Sequence, residues 1–165
     1  MDRLWSPWRY DYINSGSSVE KSKPDACVFC SMLEAEGSDE SKYILTRATH
    51  NFIVLNIYPY ISGHLMIVPY AHLKEIAAAP KETTDELMDL TKRAQSVLGE
   101  VYRPDGFNLG MNLGRAAGAG VADHFHMHLM PRWTGDTNFM TTIGETRVHP
   151  EDLATTYGKL RGRGL

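Results

Sequence analysis

The sequence predicts an α+β fold: an antiparallel meander of about five strands, one long helix packed on it and a short C-terminal helix. Three observations support this class. Short runs of β-branched and aromatic residues alternate with turn residues. Residues 81–102 carry apolar side chains at helical spacing, and residues 124–130 alternate histidine with apolar side chains. The 165 residues suffice for one domain with its own core, so we expect a single domain over residues 1–165.

The predicted strands are short apolar runs bounded by turn residues. Pro59 and Gly63 mark a turn, and residues 113–123 form a loop rich in glycine and alanine. We expect strands over residues 43–46, 52–56, 64–68, 107–112 and 124–130.

Two helices are expected. In the long one, an apolar stripe recurs at helical spacing, and Pro104-Asp105-Gly106 ends it. Pro150 can open a C-terminal helix at its first turn. Residues 1–26 are interpreted as an N-terminal extension that is rich in aromatic residues and ends in a flexible connector over residues 15–25.

Composition excludes several classes of protein. Apolar residues make up 42% and charged residues 22%, as in ordinary soluble proteins. No apolar run approaches the roughly 20 residues that span a bilayer, and the N-terminus lacks a signal-peptide core, so we expect a cytoplasmic protein. The net charge of -3 argues against a nucleic-acid partner, but a pocket can still bind a small anion through backbone N–H groups.

The most informative segment is the histidine run. In a strand, alternate side chains share a face, so His124, His126 and His128 would point one way, about 6.6 Å apart along the chain. In a helix they would fan apart and form no site. Three imidazoles on one face are typical of a metal site or of nucleophilic attack on phosphorus; an ordinary polar strand face is the alternative.

The loop upstream favours phosphate chemistry. Residues 114–121 are mostly glycine and alanine, and glycines let a backbone approach a ligand closely with its N–H groups turned inward. A plain hairpin loop is the alternative. Because the glycine-rich loop comes directly before the histidines, we favour an α-phosphate site with a histidine nucleophile.

The histidine run makes this chain resemble a known family. The run His124-Phe125-His126-Met127-His128-Leu129-Met130 matches the His-φ-His-φ-His-φ-φ signature of the histidine triad (HIT) family, where φ is apolar. Residues 52–56 and 62–69 resemble the strand pair of that family. Residues 5–9 and 131–139 are similar to its bacterial branch, which includes diadenosine tetraphosphate phosphorylases. The resemblance implies a HIT-like fold, an adenine nucleotide or dinucleoside polyphosphate as ligand, and a homodimer or higher homo-oligomer.

The resemblance also implies residue roles. His126 would be the nucleophile, flanked by His124 and His128, with His64 joining from the neighbouring strand. Ala119 replaces the glutamine of many relatives, which removes a side-chain donor. His128, instead of glutamine, makes hexose-phosphate transfer a less favoured activity. The expected nucleotide-binding residues are Asn56 at the ribose, Asn112 near the sugar and phosphate, Gly118, Ala119, Gly120 and Val121 in the phosphate loop, and Trp133 for stacking or packing.

The two cysteines form one C-x-x-C motif, Cys27 and Cys30, which in a cytoplasmic protein is typical of metal or redox chemistry. Some relatives bind zinc with such a pair, a histidine after the third strand and the first triad histidine, here His72 and His124. A closed Cys₂His₂ site would be structural. Two reduced cysteines and a surface histidine are the alternative. The resemblance implies no catalytic metal.

The expected reaction is attack of His126 on an α-phosphorus. A backbone carbonyl would fix its tautomer, and phosphate or water would release the nucleotidyl-histidine. The first hypothesis is therefore a phosphorylase or hydrolase of a dinucleoside polyphosphate. A phosphoramidase that acts on AMP-lysine-type adducts, and a nucleotide-binding interaction module with little turnover, are the alternatives.

Overall fold

The architecture is taken from a computed structural model, which describes residues 27–144, 146 and 148–165. The predicted N-terminal extension, residues 1–26, lies outside the described residues. The helices are α1 Val28–Glu34, α2 Lys81–Tyr102, α3 Phe139–Thr142 and α4 Leu153–Arg161. The strands are β1 Ile44–Arg47, β2 Asn51–Leu55, β3 Leu65–Pro69, β4 Gly106–Gly110 and β5 Met127–Arg132.

The five strands form one antiparallel sheet in the order β1-β2-β3-β5-β4. The predicted α+β class with five strands is confirmed, but the expected meander is wrong after β3. The chain leaves β3 through α2, returns at the sheet edge as β4, and then inserts β5 between β3 and β4. In β5, Leu129 lies opposite both Leu65 of β3 and Leu109 of β4. The last strand of the chain is therefore an interior one.

The long helix was predicted with its observed bounds, whereas the fifth strand was predicted too early. β5 begins at Met127, and residues 124–126 lead into it without sheet pairing. The reason is a contact with a distant segment: the Phe125 N–H donates to the carbonyl of Leu73, in the loop after β3. Neither α1 nor α3 was predicted from the sequence.

The sheet has two different faces. α2 and α4 cover one of them, where Leu87, Leu98 and Leu160 pack against the inward side chains of the strands. Complete burial of each such leucine contributes about 2 kcal/mol. On the other face, α1 covers a smaller apolar cluster that consists of Phe29, Ile44, Phe52, Val54, Met66 and Val68. No helix among the described residues is long and apolar enough to cross a membrane.

The turn from β2 to β3 requires glycine at position 63. Gly63 has φ +80, and a Cβ there would lie 3.1 Å from Pro131, 3.2 Å from Tyr102 and 3.3 Å from Leu98. Because the backbone is left-handed and the packing is tight, a side chain at this position would strain the turn. This turn sets the position of the next residue, His64.

Candidate active site

The histidine row keeps its predicted alternation although part of it precedes β5. His124, His126 and His128 are 0%, 5% and 8% exposed and lie on the face that α1 covers, called the α1 face. Phe125 and Leu129 belong to the core under α2 and α4, on the opposite face, which is called the helix face. The ring centroids of His126 and His128 are 4.7 Å apart at 76°. This is closer than the spacing along the chain, so the two rings touch.

The hydrogen bonds of His126 define its tautomer. Its Nδ1 lies 3.0 Å from the carbonyl oxygen of His124. Because a carbonyl only accepts, Nδ1 carries the proton and Nε2 keeps a lone pair. Burial lowers the pKa of His126, which favours the neutral ring at pH 7. The geometry therefore leaves Nε2 as the nucleophilic nitrogen, with the backbone carbonyl as the orienting acceptor.

His64 and His128 form a second fixed pair. The N–H of Tyr60 donates to Nδ1 of His64 at 3.1 Å, so His64 carries its proton on Nε2. That Nε2–H donates to Nδ1 of His128 at 2.9 Å, which leaves the His128 proton on Nε2. Burial and the neighbouring imidazoles lower the pKa of His64 to about 3 and that of His128 to about 4. Both rings are therefore neutral, and His128 presents an N–H donor at the site.

A cleft of about 150 Å³ lies beside His126 and His128, between α1 and the β2–β3 turn. Ligand pockets usually measure roughly 300–1,000 Å³, so the enclosed part suits a fragment of a dinucleotide and not the whole. Most of its wall is apolar. The predicted residues Asn56, Asn112, Gly118, Gly120 and Val121 all line it, together with Val28, Phe29, Met32, Val54, Leu55, Ile57, Tyr58, Tyr60 and Met66.

Asn56 braces the site as well as lining it. Its Oδ1 accepts the N–H of Tyr58 at 2.9 Å, and its Nδ2 lies 3.4 Å from Nδ1 of His64. The side chain that was predicted to meet a ribose thus also holds the turn and contacts His64.

The glycine loop uses three of its amides internally, and the first of them, the N–H of Ala117, donates to the carbonyl of Gly114 at 3.2 Å. The N–H of Gly118 donates to the carbonyl of Arg115 at 3.0 Å, and that of Ala119 to the carbonyl of Gly114 at 3.4 Å. Ala119 is half-buried and is not among the residues lining the cleft. Of the four predicted loop residues, Gly120 and Val121 are therefore better placed to offer backbone donors to a ligand.

Trp133 does not line the cleft beside His126. It follows β5, and its ring packs edge-on against Tyr102 of α2, with the centroids 6.2 Å apart. Trp133 is the first residue after β5, and its contact with Tyr102 places its ring on the face of the sheet that α2 and α4 cover. Of the two predicted roles, the geometry favours packing over stacking on a base.

Two aromatic residues of the site were missed in the sequence. Phe29 packs edge-on against His126, with a centroid distance of 5.0 Å, and the ring of Tyr60 lies 4.7 Å from that of His64. A signal existed for Phe29, since it lies inside the C-x-x-C motif. Tyr60 acts partly through its backbone N–H, and the residue type does not indicate where a backbone group will bond.

The four predicted metal ligands do come together. The ligand atoms of Cys27, Cys30, His72 and His124 lie within 4.8 Å of one another. Nδ1 of His124 is 3.3 Å from Sγ of Cys27 and 3.7 Å from Sγ of Cys30, which is 3.4 Å from Nδ1 of His72. Tetrahedral zinc with these ligands requires edges of about 3.3–3.8 Å, so the donor set and spacing fit that ion. The Nε2–H of His124 donates to the carbonyl of Pro69 at 2.9 Å, which leaves Nδ1 free to ligate.

Comparison with known proteins places the chain among nucleotide enzymes. The model of the HIT domain matches residues 38–135, more than half of the chain. An AP-4-A phosphorylase of Mycobacterium tuberculosis strain H37Rv is 39% identical, over 94% of this chain and 80% of its own. The adenosine 5'-monophosphoramidase of Saccharomyces cerevisiae is 30% identical, over 81% of this chain and 84% of its own.

Solved structures agree with these matches. A zinc-bound histidine triad family protein from Mycobacterium smegmatis superposes with a TM-score of 0.67 at 25% identity. The match covers 83% of this chain and 91% of that one.

Proposed function

Because this chain belongs to the HIT domain family, a nucleotidyl hydrolase/transferase family, we propose that it cleaves a dinucleoside polyphosphate such as diadenosine tetraphosphate. The family predicted from the histidine signature is confirmed. The proposal depends on one observation above the others: the bond from Nδ1 of His126 to the carbonyl of His124 leaves Nε2 unprotonated beside the cleft.

The first step is attack of Nε2 of His126 on the α-phosphorus. An N–P bond forms, the bond from phosphorus to the bridging oxygen breaks, and its electron pair leaves with the polyphosphate nucleotide. The ring becomes cationic as it bonds to phosphorus, and its Nδ1–H bond to the His124 carbonyl stabilises that charge. The Nε2–H of His128 and the backbone amides of Gly120 and Val121 are the donors for the phosphoryl oxygens.

In the second step, phosphate or water attacks the nucleotidyl-histidine. A P–O bond forms, the N–P bond breaks, its electron pair returns to Nε2, and the proton of the attacking oxygen passes to solvent. The cycle ends with ADP when phosphate attacks or AMP when water attacks. Asn56 and Asn112 would hold the sugar at the cleft wall.

The yeast relative supports phosphoramidase activity as a second candidate. An amine leaves readily only after it gains a proton, whereas a polyphosphate leaves as an anion. His128 is neutral, and Nδ1 of His64 is occupied by a main-chain N–H, so this pair has a hydrogen bond to offer but no spare proton. The histidine arrangement therefore favours the polyphosphate substrate over the AMP-lysine adduct.

The test uses diadenosine tetraphosphate with and without phosphate, and an AMP-lysine adduct in parallel. We expect higher kcat/KM on the tetraphosphate, an AMP adduct on His126 detected by mass spectrometry, and a loss of about 10⁴-fold or more in kcat for His126→Ala. His50→Ala, at a loop histidine outside the cleft, is the matched control and should retain wild-type rates. ADP formed only with phosphate identifies a phosphorylase; full activity in His126→Ala would refute the nucleophile.

We also propose that Cys27, Cys30, His72 and His124 bind one structural zinc ion. The donor set, the spacing and the zinc-bound relative support this. Bound there, zinc would clip α1 to the loop after β3. Elemental analysis after gentle purification should find about one zinc per chain, and less than about half an equivalent would contradict the site. Cys30→Ser should lower zinc content, whereas Ser31→Ala next to it should not.

The surroundings of the enzyme stay predictions: a cytoplasmic location, no nucleic-acid partner, no catalytic metal and a homodimer or higher homo-oligomer. For the last, β4 lies at the sheet edge and its Leu109 is 50% exposed, which offers a second copy an edge and an apolar side chain. Light scattering of the purified protein measures the assembly directly.

A further inference from the structure

The segment that supplies two cluster ligands also contacts the nucleophile. Phe29, between Cys27 and Cys30 in α1, is 5% exposed. Its ring meets that of His126 edge-on at 5.0 Å and that of His124 at 5.4 Å. The position of this aromatic ring therefore depends on how α1 is held, and the two cysteine sulfurs are among the groups that hold it.

His124 provides a second connection. Its ring is fixed at both nitrogens, by the cysteine sulfurs at Nδ1 and by the carbonyl of Pro69 at Nε2. The backbone carbonyl of the same residue accepts the Nδ1–H of His126. Whatever fixes the ring of His124 restricts its backbone as well, and so fixes the acceptor that sets the tautomer of His126.

Resting on the proposed function, we propose that the Cys₂His₂ cluster and Phe29 position the ring of His126 for attack. An imidazole has two soft side-chain torsions. The bond to the His124 carbonyl restrains the ring at Nδ1, and the edge-on contact with Phe29 restrains it at a second point. Phe29 and the cluster residues Cys27, Cys30 and His72 are positioning residues in this account, because they act through His126. Outer-shell partners of this kind typically change activity by about 10- to 100-fold.

His72 is the sharpest position for a test. It is exposed, it does not line the cleft, and it meets the cluster through Cys30 and through an edge-on ring contact with His124, with the centroids 5.1 Å apart. For His72→Ala we expect lower metal content, a kcat on diadenosine tetraphosphate that falls by about 10-fold or more, and a nearly unchanged KM. Lys74→Ala, two residues further on, loses only an exposed ion pair with Asp123 at 3.8 Å, and as the matched control it should match wild type in all three.

A substrate-free measurement separates this inference from the proposed reaction. Nitrogen-15 NMR at fixed neutral pH reports which nitrogen of His126 carries the proton. Wild type should show the Nδ1–H form, and His72→Ala should show a mixture of both tautomers. A chain that is inactive on the dinucleotide but shows this shift refutes the reaction and keeps the positioning role.

Phe29→Leu covers the case in which His72→Ala does not fold. It keeps all four ligands and an apolar side chain, so metal content should stay at the wild-type level, while the His126 spectrum broadens and kcat falls. Loss of metal with an unchanged His126 spectrum and kcat in His72→Ala would overturn the proposal. An unchanged spectrum and kcat in Phe29→Leu would overturn the part assigned to that ring.

Discussion

The two faces of the sheet receive side chains from the same segment, residues 124–129, but one face holds an apolar core and the other holds buried histidines. Phe125 and Leu129 enter the core under α2, whereas His124, His126 and His128 enter the α1 face. On the helix face every buried side chain is neutral at any ordinary pH. On the α1 face, burial keeps three triad rings and His64 out of water. The comparison teaches that period-two alternation lets one strand carry stability and chemistry side by side.

The difference has an energetic sign. Burial of leucine stabilises the fold regardless of pH, while burial of an imidazole penalises its charged form. The α1 face therefore carries a pH-dependent cost that the helix face lacks.

The largest expected effect comes from acid. The folded pKa values of His64 and His128, about 3 and about 4, lie below the ordinary value of 6.5, so the unfolded chain binds more protons in between. Stability is therefore lost as pH falls from about 6.5 towards 4. At about pH 5 each ring should cost about 2 kcal/mol of the free energy of unfolding relative to neutral pH. Urea titrations at both pH values measure the loss.

A double variant sharpens this result. His64→Gln with His128→Gln keeps hydrogen-bonding side chains but cannot titrate, so its loss on acidification should be smaller by about 4 kcal/mol. Acid would also weaken binding at the proposed zinc site in both proteins, and the difference between them removes that contribution. An equal loss in the two proteins would mean that these rings do not carry the pH dependence.

The next effect belongs to the helix face. Leu87 is 2% exposed within the core under α2, so Leu87→Ala should cost about 3 kcal/mol by removing apolar contacts and leaving a cavity. Because Leu87 faces away from the cleft, kcat/KM should stay near wild type at a temperature where the variant is folded. Met88→Ala, its 46% exposed neighbour, is the control and should cost under about 0.5 kcal/mol. A large fall in kcat/KM for Leu87→Ala would break the separation of the faces.

The smallest effect is at the edge of the helix-face core. Oδ1 of Asp152 accepts the N–H of Thr155 at 2.7 Å and caps α4, whose Leu160 packs into that core. Asp152→Ala should lower the free energy of unfolding by less than Leu87→Ala does, without changing kcat. Asp152→Asn keeps the cap and should lose much less. If both variants unfold at the same denaturant concentration, the cap does not stabilise this helix.

Much of this arrangement was readable from the sequence because it rests on periodicity. The spacing of Leu87, Leu90, Ala94 and Val97 predicted the long helix, and the alternation around His126 predicted which rings share a face. The histidine signature and the C-x-x-C motif also predicted the proposed nucleophile and the proposed metal-ligand cluster as separate sites.

The rest depended on contacts between segments far apart in the chain. The residues of β4 do not indicate that β4 takes the sheet edge and that β5 lies between β3 and β4. That strand order follows from how α2 crosses the sheet. The hydrogen bond of Phe125 to Leu73 delays the start of β5, and the N–H of Tyr60 fixes His64. Both involve backbone groups, which every residue type shares. Trp133 was open to two roles because the end of a strand does not reveal how its last side chains turn.

Gly63 links the two faces in a way that constrains how the enzyme can be altered. A Cβ at this position would press on Leu98, Tyr102 and Pro131, while its chain neighbour His64 bonds to His128 on the opposite side of the sheet. Any enlargement of those three packing partners would press on the turn and displace His64 with it. Core substitutions that are designed to raise thermal stability should therefore leave these residues unchanged. Natural sequence variation at these positions is limited by the same packing.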